Sequence, residues 1–249
     1  MSRNRVKPIE QIYDHYTKED FSVWKLLYET QINSLDGIVA NEFLKGLEIL
    51  DFNSKKIPDF KKVNEKLDFI SGWSIKTVPN IAQPKEFFTS LANKKFTSTC
   101  WLRSMEEIDY LEEPDMFHDV FAHVPMLTDI DYTNFFQNIG QLALEVINDE
   151  EKLKKLQRLY WFTIEFGLME TANGNKIYGA GIISSKNEMK NAFSNKSIKT
   201  DFNVVEIMNQ DFRIDIVQEK YFVIKSFNQL SGSLDEVRHE LFKNQNIFH

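Results

Sequence analysis

One segment limits the possible folds of this chain more than any other. Residues 152–169 have the pattern of a long helix, and the second half, LYWFTIEFGLM, is apolar on nearly every face. A helix that is apolar all round is buried, so the rest of the chain must pack around it. Glu165 lies inside this run, where a carboxylate costs several kcal/mol unless it is paired or coordinated. It therefore requires either a buried basic partner, such as Arg103 or Arg158, or a metal ion.

The segment EEPDMFHDVFAHVPMLTD offers two further metal ligands, His118 and His123. Five residues on an ideal helix rotate by about 500°, so the two side chains would diverge by about 140°. They converge if His123 lies in a frayed last turn, and Pro125 favours such an ending. An isolated pair with this spacing is weak evidence, because histidines more often serve as caps or core residues.

Two imidazoles and one carboxylate are the ligand set of the non-haem Fe(II) oxygenases, which leave coordination positions open for O2 and a cosubstrate. Zinc hydrolases use the same residue types. The HExxH pattern of many such hydrolases is absent, although Asp119 is a conceivable general base. The spacing alone therefore leaves both iron and zinc open.

Apolar periodicity elsewhere predicts a mainly α protein with a few short β-strands. The predicted helices are residues 18–32, 38–47, 61–68, 84–92, 114–124, 131–147, 152–169 and 234–242, with shorter ones after Ser185 and Asn203. The predicted strands are residues 73–78, 96–103, 176–183 and 221–224. No internal repeat or flexible linker divides the chain, so we expect one domain over residues 1–249.

Composition excludes several classes of protein. The single cysteine, Cys100, excludes an internal disulfide and any zinc or iron–sulfur site built from several cysteines of this chain. The net charge of -7 disfavours nucleic-acid binding. No apolar run reaches about 18 residues and no signal peptide is evident, so we expect no membrane association. Cysteine usage favours the reducing cytoplasm.

Four segments together resemble the pterin-dependent aromatic amino acid hydroxylases. They are EEPDMFHDVFAHVPMLTD (112–129), RLYWFTIEFGLM (158–169), IYGAGIISSKNEM (177–189) and RIDIVQEKYFVIKSFNQL (213–230). The last segment is similar to the bacterial phenylalanine 4-hydroxylases, and the match runs in order from about Val23 to Leu230. The resemblance implies that family's single-domain catalytic fold, which holds one Fe(II), with His118, His123 and Glu165 as its ligands.

The resemblance also implies roles for individual residues. Arg103 would pair with the substrate carboxylate as a bidentate guanidinium, supported by Asp115. Phe87 would stack on the pterin ring, and Asp119 stands where a carboxylate near the pterin is expected. The remaining implied residues are Trp161, Phe166 and Ser184 around the substrate, and Pro114 and Tyr160 beside the iron.

The chain departs from the family pattern in several places. Ala122 stands where a glycine is usual, and its methyl group would narrow the site slightly. Asp119 replaces the glutamate of the animal enzymes, and Leu111 replaces a threonine that helps to hold the substrate. The pterin loop, residues 78–84, also differs from the animal pattern.

The activity implied is hydroxylation of L-phenylalanine to L-tyrosine by O2, with Fe(II) and tetrahydrobiopterin or a related tetrahydropterin. An apolar slot between Trp161 and Phe166 would favour phenylalanine, because tyrosine would bury its hydroxyl at a cost of about 1–3 kcal/mol. Hydroxylation of another aromatic amino acid, such as tryptophan, is one alternative. A noncatalytic aromatic-amino-acid binding protein is the other, and the intact set of ligand types argues against it. We expect a monomer, since no regulatory domain fits before Val23 and no heptad tail follows His239.

Overall fold

Helices dominate the structure and the strands are short, which confirms the predicted fold class. The computed structural model describes residues 7–109, 111 and 113–243. The α-helices are α1 (Lys18–Leu35), α2 (Asn41–Leu50), α3 (Phe60–Ser71), α4 (Pro84–Ala92), α5 (Ile130–Glu145), α6 (Glu150–Tyr160), α7 (Ala180–Ile183), α8 (Lys186–Ala192), α9 (Val204–Asn209), α10 (Phe227–Gly232) and α11 (Leu234–Phe242). The strands are β1 (Ser74–Thr77), β2 (Lys95–Ser98), β3 (Leu168–Thr171), β4 (Gly174–Ile177), β5 (Ile198–Asp201) and β6 (Lys220–Ile224).

Two segments are wound as π-helices, Phe117–His123 and Trp161–Glu165. Short 3-10 helices occupy Tyr13–His15, Met105–Glu107 and Val124–Thr128. The π-helix is rare and often marks a functional site, because it shifts side chains away from the positions that an α-helix would give them.

Side chains at the helix starts fix where the main helices begin. The Thr17 hydroxyl accepts from the Asp20 N–H, and Asp20 accepts in return from the Thr17 N–H, which closes a capping box at α1. Asp129 caps α5 and Asp149 caps α6, each by accepting a backbone N–H three residues later. Pro84 opens α4, where its missing N–H costs nothing.

The strands form two sheets. Strands β1 and β2 pair in parallel, with Ser74 opposite Lys95. The larger sheet has the order β4-β3-β6-β5; β3 and β4 form an antiparallel hairpin, and the other pairs are parallel. Gly174 turns this hairpin with a φ of 89°, a conformation that favours glycine.

Helix α5 lies in the centre of the core. Phe135, Phe136 and Ile139 on this helix are completely buried. Gly140 lets α5 approach α4, since a Cβ there would lie 2.5 Å from the backbone nitrogen of Ala92. The tight contact fixes α4, which carries Phe87. Within the described ranges, no helix is both long and apolar enough to cross a bilayer.

Several predicted boundaries are wrong. Segment 152–169 is α-helical only to Tyr160, continues as a π-helix and then enters strand β3. A buried strand shows the same continuous apolar pattern as a buried helix, so periodicity could not separate them. Segment 176–183 is strand only to Ile177 and then forms α7, while the strand predicted over 96–103 ends at Ser98.

Candidate active site

A π-helix brings His118 and His123 together. Backbone hydrogen bonds in a π-helix connect residues five apart, so side chains with that spacing lie on the same side. The whole segment Phe117–His123 is wound in this way. The predicted frayed last turn is therefore wrong, and the winding itself aligns the two imidazoles. The second π-helix carries Glu165, and after it the Phe166 N–H donates to the Trp161 carbonyl at 2.9 Å.

The nitrogen and oxygen atoms of the three predicted ligands converge. Nε2 of His123 lies 3.3 Å from Nε2 of His118 and 3.1 Å from Oε1 of Glu165. Nε2 of His118 lies 3.7 Å from Oε2 of Glu165. One ligand atom from each residue lies within 4.8 Å of the others. Ligands bound at about 2.0–2.2 Å to one ion are themselves about 3 Å apart, so the cluster has the size of a metal site.

The hydrogen bond of Ser184 sets the tautomer of His118. The Ser184 hydroxyl donates to the Ala180 carbonyl at 2.9 Å, so it can only accept from Nδ1 of His118, 2.8 Å away. Nδ1 therefore carries the proton and Nε2 directs its lone pair into the cluster. Burial also lowers the pKa of His118 to about 4, against the opposing effect of Glu165, which favours the neutral imidazole.

Glu165 is ionised and accepts a hydrogen bond from Tyr160. Burial alone would raise its pKa, but the imidazoles of His123 and His118 and a hydrogen bond from Tyr160 lower it to about 2. The Tyr160 hydroxyl donates to Oε1 of Glu165 at 2.9 Å. The alternative of a salt bridge to an arginine is wrong, because Arg103 pairs with Asp115 and Arg158 pairs with Asp211.

This donor set fits a divalent transition metal. It offers two imidazoles and one carboxylate, all directed at a common point, with a proton position on His118 that leaves its ligand nitrogen free. Nδ1 of His123 is buried and has no hydrogen-bond partner among the described residues. No hydrogen bond at Nδ1 therefore turns the ring away from the orientation in which Nε2 faces the other two ligands. Three ligands on one side leave the cavity side open for other molecules.

Arg103 and Asp115 form a buried bidentate pair. Nε and Nη2 of Arg103 donate to the two carboxylate oxygens of Asp115 at 2.9 and 3.0 Å. Asp115 is completely buried, whereas 13% of the arginine side chain remains exposed. Burial lowers the pKa of Arg103, but Asp115 outweighs it and raises that pKa. Asp115 also accepts the N–H groups of Phe117 and His118, so it connects the guanidinium to the ligand-bearing helix.

The converging ligands lie in a cavity of about 1510 Å³. One wall is aromatic: Trp161 lies 4.6 Å from Phe166 and stacks on Phe212 at 4.4 Å, between ring centroids. Of the predicted site residues, all except Asp115 line this cavity, and Asp115 lies behind Arg103. Besides Trp161 and Phe166, those lining residues are Arg103, His118, His123, Glu165, Ser184, Phe87, Asp119, Pro114 and Tyr160.

A second side of the cavity is built by α4 and the strand β2 region. Phe87 meets Tyr160 edge-on at 5.2 Å, close to the carboxylate ligand. Asp119 accepts both the backbone N–H and the hydroxyl of Thr99, at 2.8 and 3.0 Å. Burial raises the pKa of Asp119 to about 7, although Thr99 works against this shift. Phe87 and Asp119, the two predicted pterin-side residues, therefore both line the cavity.

Ala122 does not narrow this cavity. It is completely buried in the core and is not part of the lining that the structure describes, so the expectation from the sequence is wrong. Leu111, in contrast, does line the cavity.

Residues 4–249 match the family of biopterin-dependent aromatic amino acid hydroxylases. The chain belongs to this family. Phenylalanine-4-hydroxylases from Chromobacterium violaceum and Caulobacter vibrioides are each 42% identical to it over 223 residues, which cover 89% of this chain and 75% and 76% of those proteins. The crystal structure of the C. violaceum enzyme with iron(III) and 7,8-dihydrobiopterin is 42% identical, with a TM-score of 0.87 over 94% of this chain and 84% of that chain.

Sequence reasoning missed several residues around the cavity of this hydroxylase. The side chain of Gln218 accepts a hydrogen bond from the indole of Trp161, and Phe212 stacks on the same indole. Thr99 donates a hydrogen bond to Asp119. All three line the cavity. Phe212 and Gln218 lie in or beside a segment without regular periodicity, so only their proximity in the fold reveals them.

Proposed function

We propose that this protein is a phenylalanine 4-monooxygenase that depends on Fe(II) and a tetrahydropterin and converts L-phenylalanine to L-tyrosine with O2. The observation that carries the proposal is the convergence of His118, His123 and Glu165 beside the fixed guanidinium of Arg103 in one cavity. Relatives at 42% identity are phenylalanine-4-hydroxylases, and one binds iron and dihydrobiopterin. Both support this substrate and these cofactors.

The residues of this chain would position the reactants. Arg103 would bind the substrate carboxylate with the part of its guanidinium that Asp115 leaves accessible. Trp161 and Phe166 would hold the ring, while Ser184 and Tyr160 orient two of the metal ligands. Activation of O2 is the chemistry that an iron and a reduced pterin supply when bound. The protein contributes orientation, because it would hold the reactants together in one cavity.

The cavity wall favours phenylalanine over tyrosine. The wall formed by Trp161, Phe166 and Phe212 is aromatic, and the indole N–H of Trp161 is already engaged by Gln218. A tyrosine hydroxyl against this wall would be left unpaired at a cost of about 1–3 kcal/mol. Tryptophan hydroxylation is the second candidate, and only its larger ring argues against it.

We also propose that residues 1–249 act as one catalytic domain, as a monomer in the cytoplasm. Val237 and Leu241 on helix α11 are buried within the chain, so the apolar face of this helix is already used. The single cysteine, Cys100, is buried and suits a reducing compartment. Light scattering that gives a mass near 29.3 kDa would support the monomer, and a stable multiple would contradict it.

The test is an assay of the Fe(II)-loaded protein with tetrahydrobiopterin, O2 and an equal mixture of phenylalanine, tyrosine and tryptophan. Tyrosine formed from ring-labelled phenylalanine should be the main product, together with pterin oxidation. Mostly hydroxytryptophan would move the assignment to the second candidate. Binding of an aromatic amino acid without any pterin oxidation would instead identify a noncatalytic binding protein.

A further inference from the structure

The side chain of Gln218 connects the aromatic wall to the loop above it. Its Oε1 accepts from the indole Nε1 of Trp161 at 2.9 Å. Its Nε2 donates to the carbonyls of Arg213 and Ile216 at 2.9 and 3.3 Å. The residue is only 5% exposed, so these bonds are shielded from water. One amide thus holds both a π-helix residue and residues 211–217, called the roof loop below.

The roof loop has little else that is buried to hold it in place. Ile214 is 79% exposed, and Ile216 and Val217 are exposed too, yet all three line the cavity. Arg213 pairs with Asp215 inside the loop itself, which does not fix the loop to the body of the protein. Phe212, stacked on Trp161, is its other contact with the aromatic wall. Asp211, at the start of the loop, pairs with Arg158, but this aspartate is largely exposed. Beyond Phe212, the conformation of residues 213–217 therefore depends mainly on Gln218.

Gln218 is itself held from below by a buried carboxylate. The backbone N–H of Gln218 donates to Oε1 of Glu188 at 3.1 Å, and the Tyr221 hydroxyl donates to Oε2 of Glu188 at 2.5 Å. Asn191 donates to the Gln218 carbonyl at 2.6 Å. Helix α8 thereby fixes the backbone of Gln218, and the side chain transfers this position to Trp161 and the roof loop.

We infer that Gln218 is a positioning residue that aligns Trp161 and the roof loop around the aromatic amino acid. This inference rests on the proposed function for its kinetic consequence, but not for its structural one. Because an amide supplies one acceptor and two donor hydrogens, it satisfies all three partners at once. Neither an apolar side chain nor a carboxylate can do so. The amino acid pocket should therefore loosen when Gln218 is replaced, while the metal ligands and pterin side remain intact.

The structural consequence is tested by limited trypsin digestion of the full chain. Trypsin cleaves after Arg213 at the peptide carbonyl that accepts a hydrogen bond from Gln218. The arginine side chain that trypsin recognises is 64% exposed. Gln218→Met should speed cleavage at Arg213 about tenfold, the factor expected for the loss of one or two hydrogen bonds. Cleavage at other sites should stay unchanged. Gln229→Met is the matched control. Gln229 lies on helix α10, and its side-chain amide accepts the backbone N–H of Lys225, just before that helix.

The kinetic consequence is tested with the same variants loaded with Fe(II). Gln218→Met should raise the KM for phenylalanine about tenfold and lower the tyrosine formed per pterin oxidised, with iron content and pterin KM unchanged. Trp161→Phe keeps an aromatic ring at this position but removes the indole N–H donor. Both changes break the hydrogen bond between Trp161 and Gln218. The increase in KM for the double variant should therefore be much smaller than the product of the two single-variant increases.

Other outcomes would overturn the inference. Unchanged cleavage at Arg213 together with an unchanged phenylalanine KM would show that the loop does not depend on Gln218. Faster cleavage at all sites, with a lowered Tm, would reduce Gln218 to a general stabilising residue. If the wild-type protein lacks hydroxylase activity, the proposed function fails, and selective cleavage at Arg213 still decides the structural claim.

Discussion

Single hydrogen bonds decide the chemical state of the proposed metal ligands, and Ser184 provides the clearest test. Ser184→Ala removes the acceptor of the His118 Nδ1 proton, so either tautomer becomes available and the ring loses its orientation. We expect metal affinity to fall by about 10- to 100-fold, measured by anaerobic competition with a chelator. Ser71→Ala is the matched control, because its hydroxyl also bonds the carbonyl four residues back but lies away from the cavity. Equal losses in both variants would refute the role of Ser184.

The Arg103–Asp115 pair gives a second prediction at the same scale. Arg103→Lys keeps the charge but loses the two parallel bonds to Asp115, so the ammonium cannot stay in the position of the guanidinium. The KM for phenylalanine should rise at least about tenfold while iron content remains normal. Arg238→Lys removes the bidentate pair with Glu145, which lies outside the cavity, and should leave the KM unchanged. Loss of iron in Arg103→Lys would instead indicate that the pair mainly supports the π-helix.

Elements show where the sequence was informative and where it was not. Charge and apolarity selected Glu165, because a buried carboxylate must have a partner. The histidine spacing alone was weak evidence, and the assignment of all three residues as ligands of one iron came from the family resemblance. The winding that brings them together was not predictable, since α- and π-helices differ in backbone hydrogen bonding rather than in residue type. Strand β5 and helix α10 are too short to show a period. The roof loop and Gln218, which follows it directly, show no periodic pattern of apolar residues. Periodicity therefore could not select Gln218.

Lys7 connects two loops at the cavity mouth and supplies a prediction at the scale of elements. Its Nζ donates to Asn80 on the pterin loop at 2.8 Å and pairs with the carboxylate of Glu113, and it lies 5.3 Å from the Trp101 ring centroid. Lys7→Met should raise the pterin KM by up to about fivefold, as expected for a partly exposed ion pair, and less at high salt. The similarly exposed pair of Lys220 and Glu206 does not line the cavity and is the control, so Lys220→Met should have no such effect. An unchanged pterin KM at low salt would refute the role of Lys7.

For the whole molecule, the ligand cluster couples metal binding to folding. His118 and His123 come from one π-helix, and Glu165 comes from another, so the site exists only when the core that positions both is folded. An ion that binds the native state alone stabilises it by about 2.7 kcal/mol at 100 times its Kd. For a chain of this length, that corresponds to a rise in Tm of about 5–11 °C. Thermal unfolding in increasing Fe(II) or Co(II), after treatment with a chelator, measures the shift. The His118→Ala/His123→Ala variant should show none of it, and a shift that persists there would place the stabilising ion elsewhere on the protein.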